Sequence, residues 1–193
     1  MTDFPSAYIT GVTRALRSAV LATESPFSFT QQVQDMGGER WEFSIDVMVE
    51  DFGFEAFANS VLGKRLPFDL VLPKAGQHFA VLPDLAVEGA GQSGNALTVS
   101  GHWYGNTLQP GTFFSLAQGG RQRLYQITSA AVNDPANPLD PVTLQIVPRL
   151  RGAPAAGALL NFTPKVSLRA TGPVPATIGH VVHQFSIEAV EAL

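Results

Sequence analysis

The sequence predicts an all-β chain, mainly β with one α-helix, and three observations carry that reading. Apolar and polar residues alternate strictly over residues 40–49, the pattern of a strand with one buried face. The 18 glycines and 14 prolines are spread along the chain, where they punctuate short apolar runs. Only one segment has helical periodicity, and it is short.

In order along the chain, residues 13–23 fit either a helix, through Leu16 and Val20, or a strand; the adjoining Ser-Pro favours the strand. Residues 26–34 read as a strand, Gly37-Gly38 as a turn, and 40–49 as the returning strand, together a hairpin. In the last of these, Trp41, Phe43, Ile45, Val47 and Val49 face the core, and Glu42, Ser44, Asp46 and Met48 face away. The helix occupies about 51–62. Asp51 can cap it, and Phe54, Phe57, Ala58, Val61 and Leu62 fall on one face. Gly63 can end it in the left-handed conformation, with Lys64 and Arg65 at the negative end of the dipole. Residues 68–72 read as a strand stopped by Pro73.

From about Asp84 the glycines multiply and short strands recur at 96–99, 112–117, 123–128, 142–147 and 158–162. Five short strands over this span suit a small closed barrel, because closure removes exposed edges. Longer alternating strands resume at 165–170 and 181–192; in the second, His183, Phe185, Ile187 and Ala189 share a face. The texture therefore predicts a split first domain, 1–83 plus 164–193, with a small β domain inserted at 84–163. Phe113 and Phe114 point to opposite faces of their strand, so one of the two rings needs a second apolar surface.

Composition narrows the function classes. The net charge is −4, and no Lys/Arg run exists beyond Lys64-Arg65 and Arg149-Leu150-Arg151. A sequence-independent nucleic-acid binder needs a basic stripe to release counterions. With no cysteine, disulfides and thiolate chemistry are excluded. The first eleven residues lack the basic and apolar regions of a signal peptide, and no stretch approaches the roughly 18 apolar residues of a membrane span. Charged residues are 15% of the chain, below the usual share of about 25%. That suits either a surface covered by neighbours or an ordinary uncharged polar one. Phenylalanine is abundant (13), while tyrosine (3) and tryptophan (2) are few, which reads as core or subunit interface rather than a stacking platform.

Several motifs could carry chemistry. Gly89-Ala90-Gly91-Gln92-Ser93-Gly94 is a literal GxGxxG, but a dinucleotide loop must open a helix, and the strand-like 96–99 follows. It reads as a glycine-rich turn. His180 and His183 are three apart, which sends them to opposite faces of a strand, with no third metal ligand evident. His102 beside Trp103 reads as a half-buried polar residue, and His78 lies alone in a loop. Glu42 and Asp46 share one strand face on either side of Ser44. Paired carboxylates can do glycosidic acid/base work, but here they alternate with a buried apolar face and read as its solvent side. Asn161-Phe162-Thr163 fits the glycosylation pattern as a chance triplet. No catalytic, cofactor-binding or metal-ligating residue is assigned, and the chain is expected not to be an enzyme.

One resemblance runs through nearly the whole chain. Glu24-Ser25-Pro26-Phe27, Gln31-Gln32-Val33 and Gly37-Gly38-Glu39-Arg40-Trp41-Glu42 resemble the N-terminal part of siphophage distal tail proteins. Gly91-Gln92-Ser93-Gly94-Asn95-Ala96-Leu97, Leu108-Gln109-Pro110-Gly111 and Arg123-Leu124-Tyr125-Gln126-Ile127 follow in the family's order. Ile146-Val147-Pro148-Arg149-Leu150-Arg151 and Phe185-Ser186-Ile187-Glu188-Ala189-Val190 complete the set. The resemblance implies a structural virion protein whose belt-type β-sandwich forms a ring, usually hexameric. The ring would join the tail tube protein on one face to the hub and fibre proteins on the other, leaving a channel for DNA. It also implies that the inserted unit is an OB-like barrel, that no cofactor is needed, and that the protein resides at the distal end of the tail. The alternative is a carbohydrate-binding tail module, with Trp103 and Tyr104 touching the host surface. A third reading is a small hydrolase using Glu42 and Asp46.

Overall fold

A computed structural model describes residues 1–5, 8–50, 52–76 and 78–193. Its strands form a large sheet and a curled, five-stranded half-barrel. The large sheet has the order β1-β4-β10-β12-β3-β2, with β11 paired to β12. Its members are β1 (Thr2–Asp3), β2 (Ile9–Glu24), β3 (Gln31–Val49), β4 (Phe68–Val71), β10 (Lys165–Ala170), β11 (Ala176–Ile178) and β12 (His183–Glu191). The half-barrel has the order β5-β6-β9-β8-β7. It comprises β5 (Asp84–Val87), β6 (Gly94–His102), β7 (Phe113–Gln118), β8 (Arg121–Ile127) and β9 (Val142–Leu150).

The alternation in β3 does what it predicts. Trp41, Phe43, Ile45, Val47 and Val49 are all buried, and β12 lays Phe185, Ile187 and Ala189 in the same core beside them. Over this face sit α1 (Gly53–Phe57) and a π-helical turn, Ala58–Leu62. Phe54 packs on Phe185 with ring centroids 4.9 Å apart, and Leu62 is fully buried. The helix ends differently from expectation. Gly63 stays right-handed (φ −62°), and its N–H reaches back five residues to Ala58 O. The left-handed residue is Arg65 (φ 53°). Wide π spacing absorbs the extra residue, so the reversal falls two positions later. The expected cap, Asp51, lies outside the described residues.

A second correction concerns the hairpin. Gly37-Gly38 do not turn the chain; they lie inside β3, and residues 25–30 make the turn. The two glycines form a bulge instead: Ser18 pairs with Glu39 and Val20 with Asp35, so one residue of β2 faces three of β3. Gly37 takes φ 75°, and Asp35 Oδ1 accepts its N–H at 2.7 Å. A left-handed glycine suits a bulge as well as a turn.

The half-barrel has its own core, built around Trp103, Phe114, Tyr125 and Phe162. Residues 158–162 form no ladder strand, contrary to the sequence reading, yet they close the curl. Ala158 and Leu160 bond to β5, and Asn161 exchanges both hydrogen bonds with Ser115 of β7. One short segment thus covers both open edges, its backbone groups alternating between β5 on one side and β7 on the other.

The adjacent phenylalanines divide as their parity requires. Phe114 enters the half-barrel core, while Phe113 packs on Trp41 of the large sheet at 5.6 Å. Polar contacts pin the same seam. Trp41 Nε1 donates to Leu124 O at 3.0 Å, Gln122 N–H to Ser167 Oγ at 2.9 Å, and Lys165 N–H to Ser115 Oγ at 3.1 Å. A buried charge joins them: Glu191, whose side chain is 1% exposed, lies 2.7 Å from Arg151 and 3.8 Å from Arg123. Burial pushes the Glu191 carboxyl upward, against the pull of the two guanidinium groups.

Candidate functional site

Beyond the bulge, β2 and β3 continue as a two-stranded ribbon with no third strand among the described residues. Val20 to Glu24 pair with Asp35 to Gln31, which carries the ribbon roughly 15 Å further before its turn. Every residue in 18–36 is exposed except Ser25. A polar ribbon would be unremarkable, but this one presents Val20, Leu21, Phe27, Phe29, Val33 and Met36 to solvent. Phe27 at the tip is 95% exposed and Phe29 is 76% exposed.

Phe29 is the most informative of these. Its φ is 54°, a conformation in which a bulky residue costs about 1–2 kcal/mol. Neither core burial nor a hydrogen-bonding side chain compensates that cost within the chain. Strain kept at an exposed apolar residue points to a use outside the monomer. The turn is otherwise well made: Phe29 N–H donates to Ser25 O at 2.9 Å, and Ser25 N–H to Thr30 O at 3.0 Å. Gln31 Nε2 reaches Glu24 at 3.0 Å across the base. At the bulge, Arg149 of β9 braces the ribbon. Its N–H donates to Glu39 at 2.7 Å, and its guanidinium pairs with Asp35 at 3.2 Å.

A second apolar group lies at the other end of β3, about 60 Å away along the strand. Phe52 (67% exposed) lies tilted against His183 with ring centroids 4.9 Å apart; Ile178 pairs with His183 across the sheet, and Val181 lies in the turn between them, both largely exposed. Ile178, His183 and Val49 follow one another across the sheet by register. The two groups are chemically alike but made of different residues.

Between these ends, the face of the large sheet opposite the core is polar. Glu42, Ser44 and Asp46 of β3 alternate outward, joined by Ser186 and Glu188 of β12. Ser44 Oγ donates to Glu188 at 2.7 Å, and Ser186 Oγ to Asp46 at 3.2 Å. Glu42 lies 2.8 Å from Arg40 and 3.4 Å from Arg17, and the Arg40 hydrogen bond leads in holding its pKa down. A carboxyl so held stays ionised at neutral pH and is a poor proton donor. Glu42 and Asp46 are about 13 Å apart along the strand, wider than glycosidic pairs require.

The other motifs separate in space. Residues 88–93 join β5 to β6 as a hairpin loop, and Gly94, the last glycine of the motif, opens a strand rather than a helix. Gln92 organises that loop by accepting from Thr98 N–H at 2.6 Å and donating to Thr98 O at 2.9 Å. His180 lies in the β11–β12 turn and His183 begins β12. Among the described residues, no three His, Cys, Asp or Glu side chains are placed to share a metal ion. Trp103 is 1% exposed in the half-barrel core, so of the pair Trp103 and Tyr104 the second alone, 5.8 Å from His102, offers its ring to solvent. No described helix is long and apolar enough to cross a membrane.

No protein-family model matches the chain, and no curated protein matches it.

Sequence reasoning missed the ribbon tip. Its exposed phenylalanines follow no period, because neither face of a free ribbon is buried. The available signal was Pro26 followed by two aromatic residues, Phe27 and Phe29, in a segment otherwise polar.

Proposed function

We propose that the chain is a structural, non-enzymatic virion protein, a distal tail adaptor that works as one copy of a ring. The ring, hexameric by the family resemblance, would join the tail tube to the hub and leave a channel for DNA. The observation that carries this reading is the strained, solvent-exposed Phe29 with Phe27 on a ribbon projecting past the core, opposed by a separate apolar group at the far end of β3. Closed rotational symmetry needs two different, complementary patches on each copy, and these two groups meet that need. Burying one phenylalanine contributes about 1.5–3 kcal/mol, so two per contact make a useful drive toward a ring.

The polar outer face supports the channel. Asp46 and Glu188 with short serines make a low polar strip, and Glu42 beside them is matched by Arg40 and Arg17, so the strip offers a phosphate backbone no unpaired cation to hold it. The carbohydrate-binding alternative keeps Tyr104 alone, since Trp103 faces inward.

The test is twofold: mass photometry of the purified full chain over a concentration series, and protein identification with immunogold labelling of purified phage particles. The expected result is a species of ring mass, or label at one end of the tail. A protein that stays monomeric and is absent from purified particles sinks the proposal.

A further inference from the structure

Where the base of β2 meets the half-barrel, a cavity of about 260 Å³ opens to solvent. Three of its lining residues are basic side chains: Arg14 of β2, and Lys74 and His78 of the loop after β4. No Asp or Glu lines it, although carboxylates outnumber Lys and Arg in the chain, 16 to 12. Among the described residues, neither Arg14 nor Lys74 forms an ion pair.

Arg14 is held in place without an acid. Its guanidinium carbon lies 4.1 Å from the centroid of the Phe113 ring, so cation–π attraction orients it. Burial lowers its pKa, and no carboxylate opposes that shift. Lys74 sits at φ 60°, a left-handed backbone unusual for lysine. The wall behind them is Thr112, 5% exposed, whose hydroxyl has no hydrogen-bond partner among the described residues. That hydroxyl keeps access to solvent and is an unused donor, and two cations sharing a cleft repel each other. One oxyanion would accept from the hydroxyl and screen the cations.

We infer that this cleft binds an oxyanion, a carboxylate or a phosphate group, between the Arg14 guanidinium, the Lys74 ammonium and the Thr112 hydroxyl. Arg14 supplies planar paired donors, Lys74 a mobile point charge, and Thr112 a single hydrogen bond from the apolar side. The inference does not depend on the ring.

The experiment titrates the full chain with inorganic phosphate, and separately with hexaglutamate, while amide shifts are followed by NMR. Saturable shifts at Gly76, His78, Thr112 and Phe113 are expected, weakening as NaCl rises. Arg14→Gln and Lys74→Gln should each weaken binding at least about tenfold, the loss of one charge-assisted hydrogen bond. Both side chains are at the surface, so the spectra of the variants should remain those of the folded chain. Tighter binding of hexaglutamate identifies the ligand as an acidic protein segment; tighter binding of phosphate identifies a free phosphate group. Absence of saturable shifts with both anions overturns the inference, as does binding that survives the double variant unchanged.

Discussion

Replacing each tryptophan by phenylalanine should have unequal costs, although the chemical change is the same. Both indoles are buried, Trp41 at 4% exposure and Trp103 at 1%. Each substitution shrinks a core side chain, costing about 1–2 kcal/mol. The polar parts oppose each other. Trp41 Nε1 donates to Leu124 O at 3.0 Å. β8 pairs with β9 only at Gln126 and Ile127, so the Leu124 carbonyl lies beyond that ladder. Trp41→Phe orphans a buried acceptor, a further loss of about 1–3 kcal/mol. Trp103 Nε1 has no partner among the described residues, so Trp103→Phe removes an orphaned donor and recovers part of its cost. The variants should differ by about 2–4 kcal/mol, with Trp41→Phe the weaker. Urea denaturation followed by circular dichroism measures this. With a slope near 2 kcal/mol/M, the midpoints should lie roughly 1–2 M apart. If Trp103→Phe loses as much stability as Trp41→Phe, the assignment of the two indole N–H groups is wrong.

The other predictions concern glycine, charge and the ribbon. Gly101→Ala should destabilise by about 3 kcal/mol or more, because at φ 136° its Cβ would sit 2.3 Å from Asp84 O; Gly91→Ala, with open space around it, should cost only about 1–2 kcal/mol in thermal melts. Tyr125 is pushed up to about 12 by burial, so its phenol should ionise well above the usual phenol value of about 10 when absorbance is followed through an alkaline titration. Its folded pKa is the raised one, so its contribution is complete below pH 10 and is lost as pH climbs through 10 toward 12. Glu191→Ala leaves Arg123 and Arg151 without their counter-charge and should cost about 3–5 kcal/mol by denaturant unfolding. Phe27→Ser with Phe29→Ser should leave monomer stability within about 0.5 kcal/mol while abolishing self-association in sedimentation.

Legibility in the sequence followed burial. Wherever one face of an element is covered, its period survives: Trp41 to Val49 in β3, Phe185 to Ala189 in β12, and Phe54 to Leu62 over them were readable because water rejects one side of each. β5 was missed, since four residues with only Leu85 and Val87 inward carry too little pattern. The outer half of β3 was misread for a different reason, although its partner over residues 13–23 of β2 was read as the strand it is. Their ladder is held by backbone hydrogen bonds while both faces meet water, so the side chains obey no period. Gly37-Gly38 then looks like the turn it is not. The oxyanion cleft had no signal at all: Arg14, Lys74 and Thr112 come together only through the docking of two sheets, and no fixed spacing in the chain records that.

The chain leaves the large sheet after β4 and returns at β10, and these strands are neighbours. Val71 pairs with Lys165, and Leu72 N–H donates to Pro164 O at 3.0 Å. Topologically the two strands are a hairpin whose loop has grown into the half-barrel. Departure and return at one point make that loop a socket: another unit with closely spaced ends could be fitted there without re-threading the sheet. Any replacement would inherit one duty. It must bring an apolar plug where Phe113 and Leu124 now cover Trp41, or the sheet beneath is left open to water.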